Sequence, residues 1–214
     1  MNSQEKEITY NTSNSYSTLN QLTQQTKTVW LVCHGMGYLS RYFLRYFKAL
    51  NAEENYIIGP QAPSKYYIQP KMHVGANWLT RDNTEAGMQN ILNYFDAVLE
   101  AENIPENVNL IIFGYSQGVS VAMRYLAKRQ LKCSQLVLHS GGIPKELTPK
   151  DFEFLSEDTQ VKLIYGTEDE YLDKDRITIE TERAESLFGN RLTVLPFEGK
   201  HVVNVGFIND LLPS

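Results

Sequence analysis

Short apolar runs alternate with longer amphipathic stretches along most of this chain. The runs at 28–33, 56–58, 110–113, 135–138, 161–165 and 192–195 are rich in β-branched and aromatic residues and read as strands. Between them, 39–50, 84–103, 117–130, 177–188 and about 202–212 carry apolar residues at helical spacing. Strands such as VWLVC and LIIF are apolar on consecutive positions, as in a sheet covered on both faces. The alternation predicts an α/β fold built from βαβ units, with a mostly parallel central sheet and helices on both faces. Three segments stand outside it. Residues 1–26 are polar and are expected to hold edge strands near 7–9 and 15–19. Residues 59–81 have no clean period and read as a long loop of the kind that often carries function. Residues 141–158, with one short helix over 147–155, are too brief for a large lid domain.

Composition narrows the picture. A chain of 214 residues that is 42% hydrophobic and shows no break in composition is expected to form one domain over 1–214. The formal charge is −5, and no run of Lys and Arg is long enough to track phosphates, so nucleic acid is not an expected partner. Lys128, Arg129 and Lys132 read instead as cations at a helix C-terminus. Cys33 and Cys133 read as reduced, structural residues. No window approaches the roughly 20 apolar residues of a membrane span, and no signal-peptide block is seen, so the expected location is cytoplasmic.

The chemistry is concentrated where one strand pattern gives way to a helix pattern, at Gly114-Tyr115-Ser116-Gln117-Gly118. This is G-x-S-x-G in the setting of a nucleophile elbow, where glycines permit a sharp turn that lifts the serine hydroxyl above the sheet. Ser116 is also the residue type that caps helices, and the motif alone leaves both readings open. A serine nucleophile requires a base, which follows it in the chain order of this arrangement. Of the four histidines only His201 does so, in a loop after the last strand; His34 reads as a residue holding its own loop. The orienting carboxylate lies between them, where Asp169 has Glu168, Glu170 and Asp173 as near rivals. An oxyanion hole would draw one amide from Gln117 and one from the early loop His34-Gly35-Met36-Gly37.

With these residues in order, the sequence resembles the α/β-hydrolase superfamily. More narrowly it resembles the phospholipase/carboxylesterase branch, which includes acyl-protein thioesterases and small bacterial carboxylesterases. VCHGMG, PQAP, FGYSQG, SGGIP and YGTEDEYL carry the resemblance, which extends from about Thr28 to Phe207. It implies Ser116 as nucleophile, His201 as base and Asp169, now set above its acidic neighbours, as orienter. It further implies the Met36 and Gln117 amides as the oxyanion hole and Trp78 as an acyl-site residue. From the loop's composition alone, Tyr66, Tyr67, Met72 and Trp78 read either as an acyl-binding wall or as packing residues. Tyr171-Leu172 departs from the branch's usual Val-Pro after the aspartate, and Lys200 replaces a glycine before the histidine. The implied activity is hydrolysis of carboxylic esters or thioesters through an acyl-serine, with no metal or organic cofactor. A serine peptidase or amidase of the same fold, or a lapsed hydrolase acting as a binding module, are the alternatives. The expected partner is a small-molecule or acyl ester substrate, with a homodimer as the assembly left open.

Overall fold

Strand β2, Thr28–Cys33, is buried from end to end, and its side chains divide between two cores. Val29, Leu31 and Cys33 enter one, and Trp30 and Val32 enter the other. Side chains alternate across a strand, so both faces of the sheet must be covered, and they are. The computed structural model describes residues 3–211. In it, β2 pairs in parallel with β3 (Asn55–Pro60) on one side and β6 (Asn109–Tyr115) on the other. Then follow β7 (Gln135–His139), β8 (Gln160–Gly166) and β9 (Leu192–Phe197), all parallel. Strand β1 (Tyr16–Leu19) adds antiparallel to β3, giving seven strands in the order β1-β3-β2-β6-β7-β8-β9.

The first core takes the apolar faces of helices α2 (Thr84–Glu102), α3 (Gln117–Arg129) and α4 (Lys174–Phe188). The second takes α1 (Ser40–Phe43), the 3₁₀ turn Leu44–Phe47 after it, and α5 (Val205–Asp210). Here Phe43, Phe47 and Phe113 form a packed aromatic group, with Phe47 and Phe113 edge to face at 5.3 Å. The chain runs from β2 to β3 and then crosses back to β6, so the strand order reverses between β2 and β6. Ligands of open α/β sheets bind at the carboxyl ends of such a pair.

The structure differs from the sequence reading in several places. Segment 39–50 is not one helix but α1 followed by the 3₁₀ turn. Its aromatics are modest helix formers, and Phe43, Leu44 and Phe47 are fixed by packing beneath the sheet rather than by helical propensity. No strand forms at 7–9, where Ile8 is exposed and has no sheet face to pack on. The expected loop 59–81 contains a hairpin, β4 (Ser64–Ile68) and β5 (His73–Asn77), paired antiparallel. Every residue of β4 is exposed, so there is no buried face to impress an alternating pattern on the sequence. The helix expected over 147–155 is a single 3₁₀ turn, Pro149–Phe152, closed by a capping box between Thr148 and Asp151. Helix α4 starts earlier than expected because Asp173 accepts a hydrogen bond from the Arg176 amide as its N-cap. The last helix ends at Asp210; residue 212, where it was expected to end, lies outside the described residues. Among the described residues no helix is long and apolar enough to cross a membrane.

Truncating the shared aromatic group tests this account of the second core. Phe113→Ala is expected to destabilise the fold by about 3–5 kcal/mol, read as a lower urea midpoint with an unchanged slope.

Candidate active site

The turn from β6 into α3 allows no Cβ at its glycines. One built on Gly114 would lie 2.5 Å from Val119 Cα, and one on Gly118 would lie 2.0 Å from the Cys33 carbonyl oxygen. With both flanks so tight, Ser116 is held at φ +53°, a region unfavourable for a side-chain-bearing residue. Its amide donates to the His139 carbonyl at 2.8 Å, and its hydroxyl stands above the carboxyl end of the sheet. Its side chain makes no cap to α3, which removes the helix-capping account of the residue.

Two loops converge on that hydroxyl. His201, after β9, brings Nε2 to 2.9 Å from Ser116 Oγ. Asp169, after β8, accepts from His201 Nδ1 at 2.7 Å through Oδ2. Asp169 Oδ1 meanwhile accepts the amides of Tyr171 (2.8 Å) and Leu172 (3.1 Å), which fixes the carboxylate's orientation. The carboxylate is fully buried, and the imidazole is partly exposed. Of its rivals, Asp173 caps α4, while Glu170 accepts from the His201 backbone amide at 3.4 Å rather than from its ring.

The loop His34–Gly37 crosses beside Ser116, because β2 and β6 are in register with Cys33 opposite Gly114. Gly35 lies against the Tyr115 ring and the Ser116 Cβ. Among the described residues the amides of Met36 and Gln117 have no protein acceptor, so both are free to donate to a ligand. Hairpin β4–β5 braces this loop: the Gly37 amide donates to the Ala76 carbonyl at 2.8 Å, and Gly75 packs on Gly37 so closely that a Cβ would meet its carbonyl. Tyr66 and Ile68 approach Gly37 from the same hairpin. Tyr67 and Met72 are exposed on it.

Of its two readings, Trp78 takes the packing one in this structure. It is 2% exposed, packed on His34 and Phe95. Its indole N–H donates to the His34 carbonyl at 2.7 Å, and its amide donates to Gln117 Oε1 at 2.9 Å. Trp78 therefore ties the two loops together from beneath. The Gln117 side chain completes the tie by donating to Asn77 Oδ1 and the Leu79 carbonyl. Sequence reasoning assigned Gln117 only its amide, and a polar side chain at the first position of an apolar helix was the signal available.

Two inner histidines hold the loops around Ser116. His34 Nδ1 lies 2.8 Å from the Gly35 carbonyl, and Nε2 accepts the Ala62 amide at 3.2 Å. His139 Nε2 accepts the Asn204 amide at 2.9 Å, anchoring the segment just after His201. Tyr115 anchors the same loop by donating its hydroxyl to the His201 carbonyl at 3.0 Å. Burial lowers His34 from its ordinary 6.5 to about 4 and His139 to about 3, so both accept amides as neutral rings. Among the described residues, no group of His, Cys, Asp and Glu is arranged to hold a metal ion.

The chain is similar to proteins of known class. A family model described as phospholipase/carboxylesterase matches residues 14–211. Among solved structures, acyl-protein thioesterase 2 of Zea mays superposes with a TM-score of 0.70 at 15% identity, covering 93% of this chain and 96% of that one. A phospholipase/carboxylesterase from Dyadobacter fermentans gives 0.64 at 18% identity, covering 95% and 98%. The Bacillus cereus carboxylesterase gives 0.65 at 16%, covering 94% and 92%. No curated protein matches by sequence. At these identities the structures share the fold, a small α/β hydrolase.

Two outcomes are expected. Gly118→Ala forces a Cβ into the Cys33 carbonyl and should destabilise the protein by about 3 kcal/mol or more, seen as a lowered melting temperature. Acid should also act through the buried histidines. Between about 6.5 and the folded values of about 4 and 3, the unfolded chain binds protons that the native state does not. Stability therefore falls as pH drops from about 6.5 toward 4, and His139→Asn should flatten that slope in urea titrations.

Proposed function

Because this chain belongs to the phospholipase/carboxylesterase family of α/β-hydrolases, we propose that it hydrolyses carboxylic esters or thioesters through an acyl-enzyme formed on Ser116. One observation carries the reading: an unbroken hydrogen-bonded relay, Ser116 Oγ to His201 to Asp169, ends on a serine held at strained backbone angles. A capping serine needs neither the relay nor the strain.

In the forward half-reaction Ser116 Oγ attacks the substrate carbonyl carbon while His201 Nε2 takes the hydroxyl proton. Negative charge then develops on the carbonyl oxygen, where the Met36 and Gln117 amides receive it. Such donors stabilise the transition state because they are already oriented and need no reorganisation as charge forms. The imidazolium next gives its proton to the departing oxygen or sulfur, and an alcohol or thiol leaves. In the second half, water attacks the acyl carbon while His201 takes its proton, and the carboxylic acid leaves as Ser116 is regenerated. Asp169 keeps Nδ1 protonated and Nε2 free to accept, and its negative charge favours the imidazolium that forms in each half.

His34, Trp78 and the Gln117 side chain are positioning residues in this scheme, fixing the two oxyanion amides relative to each other. Tyr115 and His139 do the same for the His201 loop. The exposed hairpin residues Tyr66, Tyr67 and Met72 supply apolar surface beyond the oxyanion loop, on the side open to an acyl chain. Thioester and ester substrates differ only in the leaving heteroatom, and the same machinery serves both.

A fluorophosphonate probe and an acyl ester series test the assignment. The wild type should take the label and turn over short acyl esters, and Ser116→Ala should take none. His201→Ala and Asp169→Asn should each lower kcat by about 10³-fold or more while the protein remains folded. An unlabelled wild type without ester turnover would overturn the reading.

A further inference from the structure

Tyr171 is the residue of the acid loop that the catalytic scheme leaves unused. Its amide donates to Asp169 Oδ1 at 2.8 Å, so its backbone is fixed by the same carboxylate that orients His201. The next residue, Leu172, turns inward and is buried, whereas the Tyr171 side chain stays 71% exposed. The tyrosine ring nevertheless lies against the His201 ring, edge to face, at 4.8 Å between centroids. Tyr115 packs on the same imidazole at 5.3 Å but is buried. His201 is thus flanked by one aromatic that belongs to the core and one that faces solvent.

The direction of proton transfer gives that exposed ring a role. Resting on the acyl-enzyme reading, the proton taken from Ser116 is handed by His201 Nε2 to the leaving heteroatom, so the leaving group must lie on the histidine side of the site. The exposed apolar surface on that side is Tyr171, followed by the half-exposed Val202. Met36, 60% exposed, borders the oxyanion loop instead. We propose that Tyr171 forms the wall of a leaving-group subsite that favours flat, apolar alcohol or thiol portions, aryl groups above all. A ring already held against His201 offers its free surface for stacking without the cost of immobilising a mobile side chain.

This role makes a demand that a merely structural contact does not. The leaving group has departed before water attacks, so Tyr171 should matter for acylation and not for deacylation. The test compares p-nitrophenyl butyrate with methyl butyrate, which share an acyl group and differ in the size of what leaves. For Tyr171→Ala, kcat/KM on the nitrophenyl ester should fall about ten-fold, while that on the methyl ester changes less than about two-fold. Under burst conditions kcat reports deacylation of the common butyryl-enzyme, and it should be unchanged. Fluorophosphonate labelling, which expels only fluoride, should proceed at the wild-type rate. Tyr171→Phe should behave as wild type on both esters.

Equal losses on the two esters, or slower deacylation, would overturn the subsite and leave Tyr171 as a prop for His201. A Phe variant as impaired as the Ala variant would overturn it as well, since the hydroxyl would then be the operative group. Failure of the acyl-enzyme reading looks different: the wild type itself would neither label nor turn over either ester.

Discussion

The contact on which this structure turns is the approach of Gly118 to the end of β2, where a Cβ would lie 2.0 Å from the Cys33 carbonyl oxygen. Helix α3 can start that close to the sheet only because no side chain intervenes. The closeness sharpens the turn out of β6, holds Ser116 at positive φ and aims its hydroxyl away from the sheet. It also sets the elbow beside the loop that leaves β2, since Cys33 and Gly114 are in register. Ser116 and the Gln117 amide on the elbow thereby acquire a fixed separation from the Met36 amide on the neighbouring loop. The strain at Ser116 is sustained by backbone packing on three sides: Gly114 against Val119, Gly118 against Cys33, and Gly141 against the Ser116 carbonyl.

Around that contact, buried polar groups do the positioning. His34, Gln61, Trp78 and Gln117 form one connected set beneath the His34–Gly37 loop, each hydrogen-bonded to backbone or to another member. Tyr115, His139 and Asn204 form another beneath the His201 loop. Neutral imidazoles suit both places, because a buried ring that accepts an amide hydrogen must not be protonated. The acid loop follows a different plan: Asp169 is oriented by its own neighbours' amides, and the same turn sends Leu172 inward and Tyr171 out over His201. Two adjacent residues thus face opposite ways there, one into the core and one onto the His201 ring.

The sequence by itself determined the layered α/β architecture, because continuous apolar strands and amphipathic helices leave few ways to bury both. It also singled out Ser116 and His201, since G-x-S-x-G restricts the backbone locally and one histidine alone follows it. Spacing put Asp169 slightly ahead of Glu168, Glu170 and Asp173, and the resemblance widened that lead. The tertiary structure decided which carboxylate meets His201, because that depends on loop backbone direction, which turns over within one or two residues. It showed Asp173 to be a helix cap and, between the two readings of Trp78, set the side chain in the core. It revealed the β4–β5 hairpin, which leaves no periodic signature because neither of its strands has a continuous buried face. Periodicity records which face of an element is buried. Positions where the backbone turns, or where an element stands away from the core, are set by contacts distant in sequence.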